Sequence, residues 1–343
     1  MKRVALEYFQ NLFQRSNTDS SDVLEIVQSK VTSEMRSQLA LPYTKDEFTN
    51  ALSQMHPDKA PGPDGFNPVF YQKFWGLTGN EIFAQCAGWM ESLQFPQGLN
   101  DTTIALIPKM EKPQSMKDFR PISLCNVLYK VMAKVVTNRL KPHLHQLISE
   151  TQSAFVPGRL IVDNVMVAFE SLHAMKCNSK GKFGNVALKV DISKAYDRVD
   201  WSFLKGILLK LGFDDRWVQL VVYLISSVSS WVNFNGELVG PIHPQRGLRQ
   251  GCPLSPYLFI LCAEGLTALL SEAENAGMLH GCKVIRGAPP ISHLLFADDS
   301  LFFFRASLEE AQCMKSLLNK YERASGQAIN LSKSAMFLSR PNN

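Results

Sequence analysis

Three carboxylates sit where apolar strands would end. Asp191 follows the run Val186–Val190, and Asp298 and Asp299 lie between LLFA and LFFF, in one of the most hydrophobic stretches of the chain. Aspartate suits turns, so a hairpin with both acids at its tip explains the adjacent pair by itself. Asp191 changes this, because strands sharing one sheet would bring all three acids to one edge. Two unit charges about 4 Å apart repel by roughly 4 kcal/mol at an effective dielectric near 20. Three such groups would cost on the order of 10 kcal/mol, comparable to the stability of a whole domain. Bound divalent cations would offset that repulsion. Oxygen ligands without nearby His or Cys suit Mg²⁺, or Mn²⁺, better than Zn²⁺. Two such ions activate an attacking hydroxyl and steady a leaving pyrophosphate in an in-line displacement.

The elements that must position these acids are legible in outline. Residues 1–55 read as helical, and TKDEFTNALSQM offers a capping box in Thr44 and Glu47. HPDKAPGPDGFNP (56–68) is an irregular loop, with Asn67 and Pro68 opening the next helix. TIALIPK and FRPISL read as extended, a helix spans about 126–140, SAFVPGR is a loop, and a helix runs from Ile161 to Met175. NSKGKFGN (178–185) is a flexible connector. Beyond the Val186–Val190 strand, Asp200 caps a helix with Trp201, Leu204, Ile207, Leu208 and Leu211 on one face, and Gly212 ends it. A second helix covers about 215–226. Asn235–Gly236 marks a hairpin, QRGLRQGCPLSP is a loop, and a long helix precedes the acidic hairpin. A last helix from Leu308 to Ala324 and a closing strand follow. Alternating strands and helices over 186–338 predict a mixed sheet with helices packed on it, an α+β fold.

The chain has 343 residues, 45% hydrophobic and 20% charged, with net charge +5, enough for a core in two or more subdomains. Charge is concentrated: Lys109 to Pro142 holds eight basic and two acidic residues, +6 in all. Such a block suits phosphate binding or a solvated helix face equally well. The seven cysteines form no CxxC pair, which predicts a reducing compartment and no zinc ribbon. MKRVALEYFQ meets Glu7 before any long apolar run, so no signal peptide is expected, and no stretch of 18 or more apolar residues is free of charge. The expected location is intracellular, nucleus or cytoplasm, without membrane partners.

Eight blocks then occur in a recognisable order: KAPGPDGF (59–66), LIPK (106–109), FRPISL (119–124), SAFVPGR (153–159), DISKAYDRVDW (191–201), QRGLRQGCPLSPYLF (245–259), FADD (296–299) and INLSKS (329–334). Over nearly its whole length the chain resembles the reverse transcriptase of non-LTR (LINE-type) retrotransposons, plant ones most of all. The resemblance implies a right-hand polymerase: a helical extension at 1–55, fingers at 56–185 and a palm at 186–343, its mixed or antiparallel sheet packed on helices and the thumb largely absent. It implies an RNA template, a DNA primer and dNTPs as partners, with two Mg²⁺ ions. Asp191 and Asp298 become the principal metal ligands, Asp299 completes the triad, and the Ile192 carbonyl adds a backbone ligand. Tyr196 becomes the steric gate that selects deoxynucleotides, Arg120 and Lys109 the triphosphate contacts, Gln250 and Gly251 contacts to nucleotide and template, and Lys333 the acid that protonates pyrophosphate. Asp197 and Asp200 are not expected to be ligands, and Asp64 is expected to be a turn residue. The family's endonuclease and C-terminal regions are not seen, so a truncated, catalytically silent nucleic-acid-binding relic is the second reading.

Overall fold

The computed structural model describes residues 2–16, 18–177, 184–285 and 287–339. Residues 178–183 of the expected connector lie outside them. Among the described residues the strands are β1 (Asp101–Pro108), β2 (Phe119–Cys125), β3 (Asn185–Val190), β4 (Ile192–Ser193), β5 (Ser229–Phe234), β6 (Glu237–Ile242), β7 (His293–Phe296), β8 (Asp299–Arg305), β9 (Ala328–Ile329) and β10 (Ala335–Leu338). With the helices they form an α+β fold of two compact units interleaved along the chain. One unit takes Met1–Arg15, Val31–Pro142 and Phe213–Ser255, the other Ser16–Lys30, His143–Gly212 and Pro256–Asn343.

The first unit holds the mixed sheet, in the order β2-β1-β5-β6. β1 and β2 are antiparallel, while β1 and β5 are parallel, with Asp101 opposite Ser229 and Ala105 opposite Asn233. This pairing draws residues 213–255 away from the 186–343 region in which the sequence had grouped them. The helix Lys2–Phe13 is no separate extension, since its Phe9 and Leu12 share a core with Ile104, Val232 and Ile242. Local signals hold throughout this unit. Thr44 and Glu47 make the capping box, Asn67 caps the helix Pro68–Ser92, and Asn235 and Gly236 take φ of +52° and +85° in the β5–β6 turn.

The second unit is built on the antiparallel sheet β10-β3-β8-β7. Met175 of the helix Ile161–Cys177 packs with Ala187, Cys282, Leu294 and Phe303, and Ala168 and Leu172 flank that core. Asp200 accepts from the amides of Ser202 (2.8 Å) and Phe203 (3.0 Å) to start the helix Trp201–Leu211, which Gly212 ends at φ +98°. The helix Ser255–Asn275 is long and apolar enough to cross a membrane, with mean hydropathy 1.2 over its most apolar stretch, but 72% of that stretch is buried within the protein. Its Glu264, 4% exposed, bonds Lys30 and the Ser149 amide, the position of a central core helix. All seven cysteines are free thiols.

Candidate active site

The β3–β8 register decides where the acids fall. Val190 pairs with Ser300, so the next step along each strand brings Asp191 and Asp299 to the same end of the sheet. β7 and β8 pair from Phe296–Asp299 outward, leaving Ala297 and Asp298 as the two-residue turn. The tip therefore carries Asp298 alone; Asp299 opens β8, a correction to a tip holding both acids. Ala297 takes φ +53°, in the left-handed region. Asp298 and Asp299 are exposed and Asp191 is half-buried. The apolar neighbours belong to the two faces of the sheet, and the acids lie where those faces end.

Asp191 is fixed by its backbone. Its N–H donates to Ser334 Oγ at 3.3 Å, and its carbonyl accepts from the Asn330 amide at 2.8 Å. Ile192 pairs with Ile329 in the short β4–β9 ladder. Asp299 has a counter-charge of its own, Lys189 Nζ at 3.7 Å. Among the described residues no three acidic, His or Cys side chains are grouped as ligands of one ion. Carboxylates and main-chain carbonyls at this sheet end are the oxygen donors that a hard divalent cation takes.

Tyr196 stacks on Phe259, ring centroids 4.6 Å apart and planes 6° from parallel. Burial first, and then the charge of Asp298, push its phenol well above the ordinary range, so it stays protonated. The unit thus brings together Asp191, Ile192, Tyr196, Asp298 and Asp299. Lys333 belongs to it too, exposed in the turn that follows Asn330.

Lys109, Arg120, Gln250 and Gly251 lie in the first unit. Lys109 donates its amide to the Asp118 carbonyl at 2.8 Å, and Arg120 pairs with Ile107, so both basic side chains share one exposed face of the β1–β2 hairpin. Asp118, its carboxyl held below the usual range mainly by the Ser115 and Gln114 amides, adds a negative charge beside Lys109. Gly251 has an internal reason to be glycine: at φ +124°, an added Cβ would sit 2.6 Å from the Ser123 carbonyl oxygen. Ser123 N–H donates to the Gln250 carbonyl at 2.7 Å, which docks this loop on β2. Asp200 is a cap, as expected. Asp64 is the expected turn residue, its carboxylate accepting from the Phe66 amide at 3.1 Å.

Sequence reasoning missed the residues that brace these groups. Asn330 and Ser334 hold Asp191 through the backbone, in the INLSKS block, where Lys333 alone was given a role. Arg249 lies over the Tyr129 ring, 4.0 Å from its centroid, and donates to Asn100 Oδ1 (2.6 Å), Thr102 Oγ1 (3.1 Å) and the Leu224 carbonyl (2.9 Å), locking the loop before Gln250. An arginine in a Gly-rich loop carries no local signal of such a role.

Residues 107–342 match the family model described as "Reverse transcriptase (RNA-dependent DNA polymerase)". The chain is 32% identical, over 97% of its length, to the "Transposon TX1 uncharacterized 149 kDa protein" of Xenopus laevis, of which the match covers 25%. It is 29% identical over 243 residues (70% of the chain, 22% of the relative) to the "Retrovirus-related Pol polyprotein from type-1 retrotransposable element R2" of Nasonia vitripennis. It is 56% identical over 66 residues to the "Uncharacterized mitochondrial protein AtMg01250" of Arabidopsis thaliana (19% of the chain, 54% of the relative). The chain thus spans about a quarter of the length of the first two relatives.

Proposed function

Because the chain belongs to the reverse transcriptase family, we propose that it is the RNA-directed DNA polymerase domain of a non-LTR retrotransposon and extends a DNA primer on an RNA template with dNTPs. The carrying observation is the register that brings Asp191 and Asp299 to one sheet end, with Asp298 in the adjoining turn and Tyr196 close enough to feel its charge. In the hand description, the second unit supplies the palm and the β1–β2 hairpin the fingers. Identity with the Arabidopsis protein supports a plant-type element.

Asp191, Asp298, Asp299 and the Ile192 carbonyl are the groups that would hold two divalent cations, Mg²⁺ or Mn²⁺. When bound, such ions lower the pKa of the primer hydroxyl and neutralise charge on the departing pyrophosphate. Asp299, balanced by Lys189, adds negative potential at the same end. Tyr196, backed by Phe259, is a stiff wall that fills the space of a 2′-hydroxyl and selects deoxynucleotides. Arg120 grips the triphosphate through its bidentate fork, with Lys109 as a point charge beside it. Gln250 and Gly251, on a loop held to β2, face nucleotide and template. Lys333 protonates the pyrophosphate as it leaves.

The test is incorporation of dTMP by the purified chain on poly(rA) primed with oligo(dT), with binding of the same template–primer measured in parallel. Metal-dependent incorporation is expected. Binding without incorporation would sink the proposal and leave a silent nucleic-acid-binding relic.

A further inference from the structure

Gln152 is a fully buried amide (0% exposed) in the segment that closes the outer edge of β7. Its neighbours pair with that strand: the Leu295 amide donates to the Thr151 carbonyl at 2.8 Å, and the Ser153 amide to the Leu295 carbonyl at 3.1 Å. The side-chain Oε1 accepts two backbone amides, Ala154 N–H at 2.9 Å and Ala297 N–H at 3.1 Å. Ala297 is the left-handed residue of the turn, immediately before Asp298. We infer that Gln152 is a positioning residue for Asp298: its side-chain carbonyl clamps the Ala297 amide, holds the turn in its left-handed form and so fixes the direction of the Asp298 carboxylate.

Three observations carry this. First, a two-residue hairpin turn with positive φ at its first central residue and not at its second normally places Gly there. Ala297 has no side chain that favours that conformation, so an external hydrogen bond has to supply the preference. Second, among the described residues the buried Nε2 of Gln152 has no hydrogen-bond partner. The carbonyl end of the amide is therefore the end that is engaged, and an apolar side chain here would leave the Ala154 and Ala297 amides without that acceptor. Third, the platform under Gln152 is stiff. The Arg159 guanidinium donates to the carbonyls of Gln152 (2.6 Å) and Ile148 (2.9 Å), and Asn164 Nδ2 donates to the Leu295 carbonyl at 2.8 Å. A bond from such a platform transmits position rather than following the turn.

The inference rests on the polymerase reading for its consequence, but the clamp can be tested apart from it. In the wild-type chain, hydrogen exchange should show the Ala297 amide protected to the degree of the β7–β8 ladder; an Ala297 amide that exchanges as fast as exposed turn amides overturns the clamp. Q152M keeps length and volume and removes the acceptor. It should speed exchange at Ala297 at least tenfold, with the helices Trp201–Leu211 and Ser255–Asn275 unchanged. On primed poly(rA) it should lower kcat at least tenfold and raise the half-saturating Mg²⁺ concentration, with dNTP KM and template–primer Kd within threefold. Adding A297G, which lets the turn keep positive φ without help, should restore at least threefold of the lost kcat. Wild-type kcat in Q152M, loss explained by weaker template binding, or no rescue by A297G would each overturn the inference. A wild-type chain that does not polymerise counts against the proposed function and leaves the exchange result to decide the clamp.

Discussion

Substituting Gly251 tests whether the QG loop is held by the protein itself. In G251A the new Cβ would lie 2.6 Å from the Ser123 carbonyl oxygen, and the obstacle is strand backbone that cannot swing aside. Ser123 is paired with Ile104 across the β1–β2 ladder, so relief must come from the loop. A φ of +124° in an L residue costs about 1–3 kcal/mol. Moving the loop off β2 also stretches the 2.7 Å bond from Ser123 N–H to the Gln250 carbonyl, a further loss of about 1 kcal/mol. The sum is roughly 2–4 kcal/mol, a large part of the 5–15 kcal/mol typical of a domain. Urea unfolding followed by circular dichroism should show this as a lower midpoint for the unit containing β1, β2 and β5. Because Gln250 moves with the loop, dNTP KM should rise about tenfold. A G251A midpoint equivalent to less than about 0.5 kcal/mol of change would refute the packing argument and return Gly251 to a residue that matters only when ligand is bound.

Removing the ring in Y196A should admit ribonucleotides; a dNTP/rNTP ratio equal to wild type in single-nucleotide extension would remove the gate assignment. D200A should cost about 2 kcal/mol by freeing the Ser202 and Phe203 amides, and D200N much less, because an amide oxygen still caps; equal denaturation midpoints for the two variants would contradict this. His293, 2% exposed on β7 with Thr151 Oγ1 and Ser292 Oγ each 2.9 Å from a ring nitrogen, has its pKa lowered by burial to about 4 from 6.5. The unfolded chain then binds more protons between those values, so His293 should make stability fall by about 3 kcal/mol as pH drops from about 6.5 to about 4. In H293Q that segment of the stability–pH curve should flatten; a curve parallel to wild type would count against a neutral buried imidazole.

Features that depend on a few consecutive residues are legible in the sequence. Thr44 with Glu47, Asn67 with Pro68, Asp200, Gly212 and Asn235–Gly236 act through the backbone within a turn or two, and each does so in the structure. The convergence of Asp191 with the acidic hairpin followed from strands ending in acids. The parallel β1–β5 pairing was not legible, because Asp101 and Ser229 meet with no turn between them to announce it. The same holds for the bracing bonds. Arg249 to Asn100, Asn330 to Asp191 and Gln152 to Ala297 join segments far apart in the chain, and their types are common in loops and on surfaces. The exact turn residue escaped for a different reason. Ala297 is a poor residue for positive φ, and only the β7–β8 register moves the turn one step back from Asp298–Asp299.

The central claim is that the carboxylates at the end of β3 and in the β7–β8 turn hold the cations of nucleotidyl transfer. D298N, extended on primed poly(rA) across a Mg²⁺ titration and checked by circular dichroism, tests it most directly. The expected result is a native spectrum with incorporation at least a thousandfold below wild type at every Mg²⁺ concentration. A folded D298N that polymerises at the wild-type rate would contradict it.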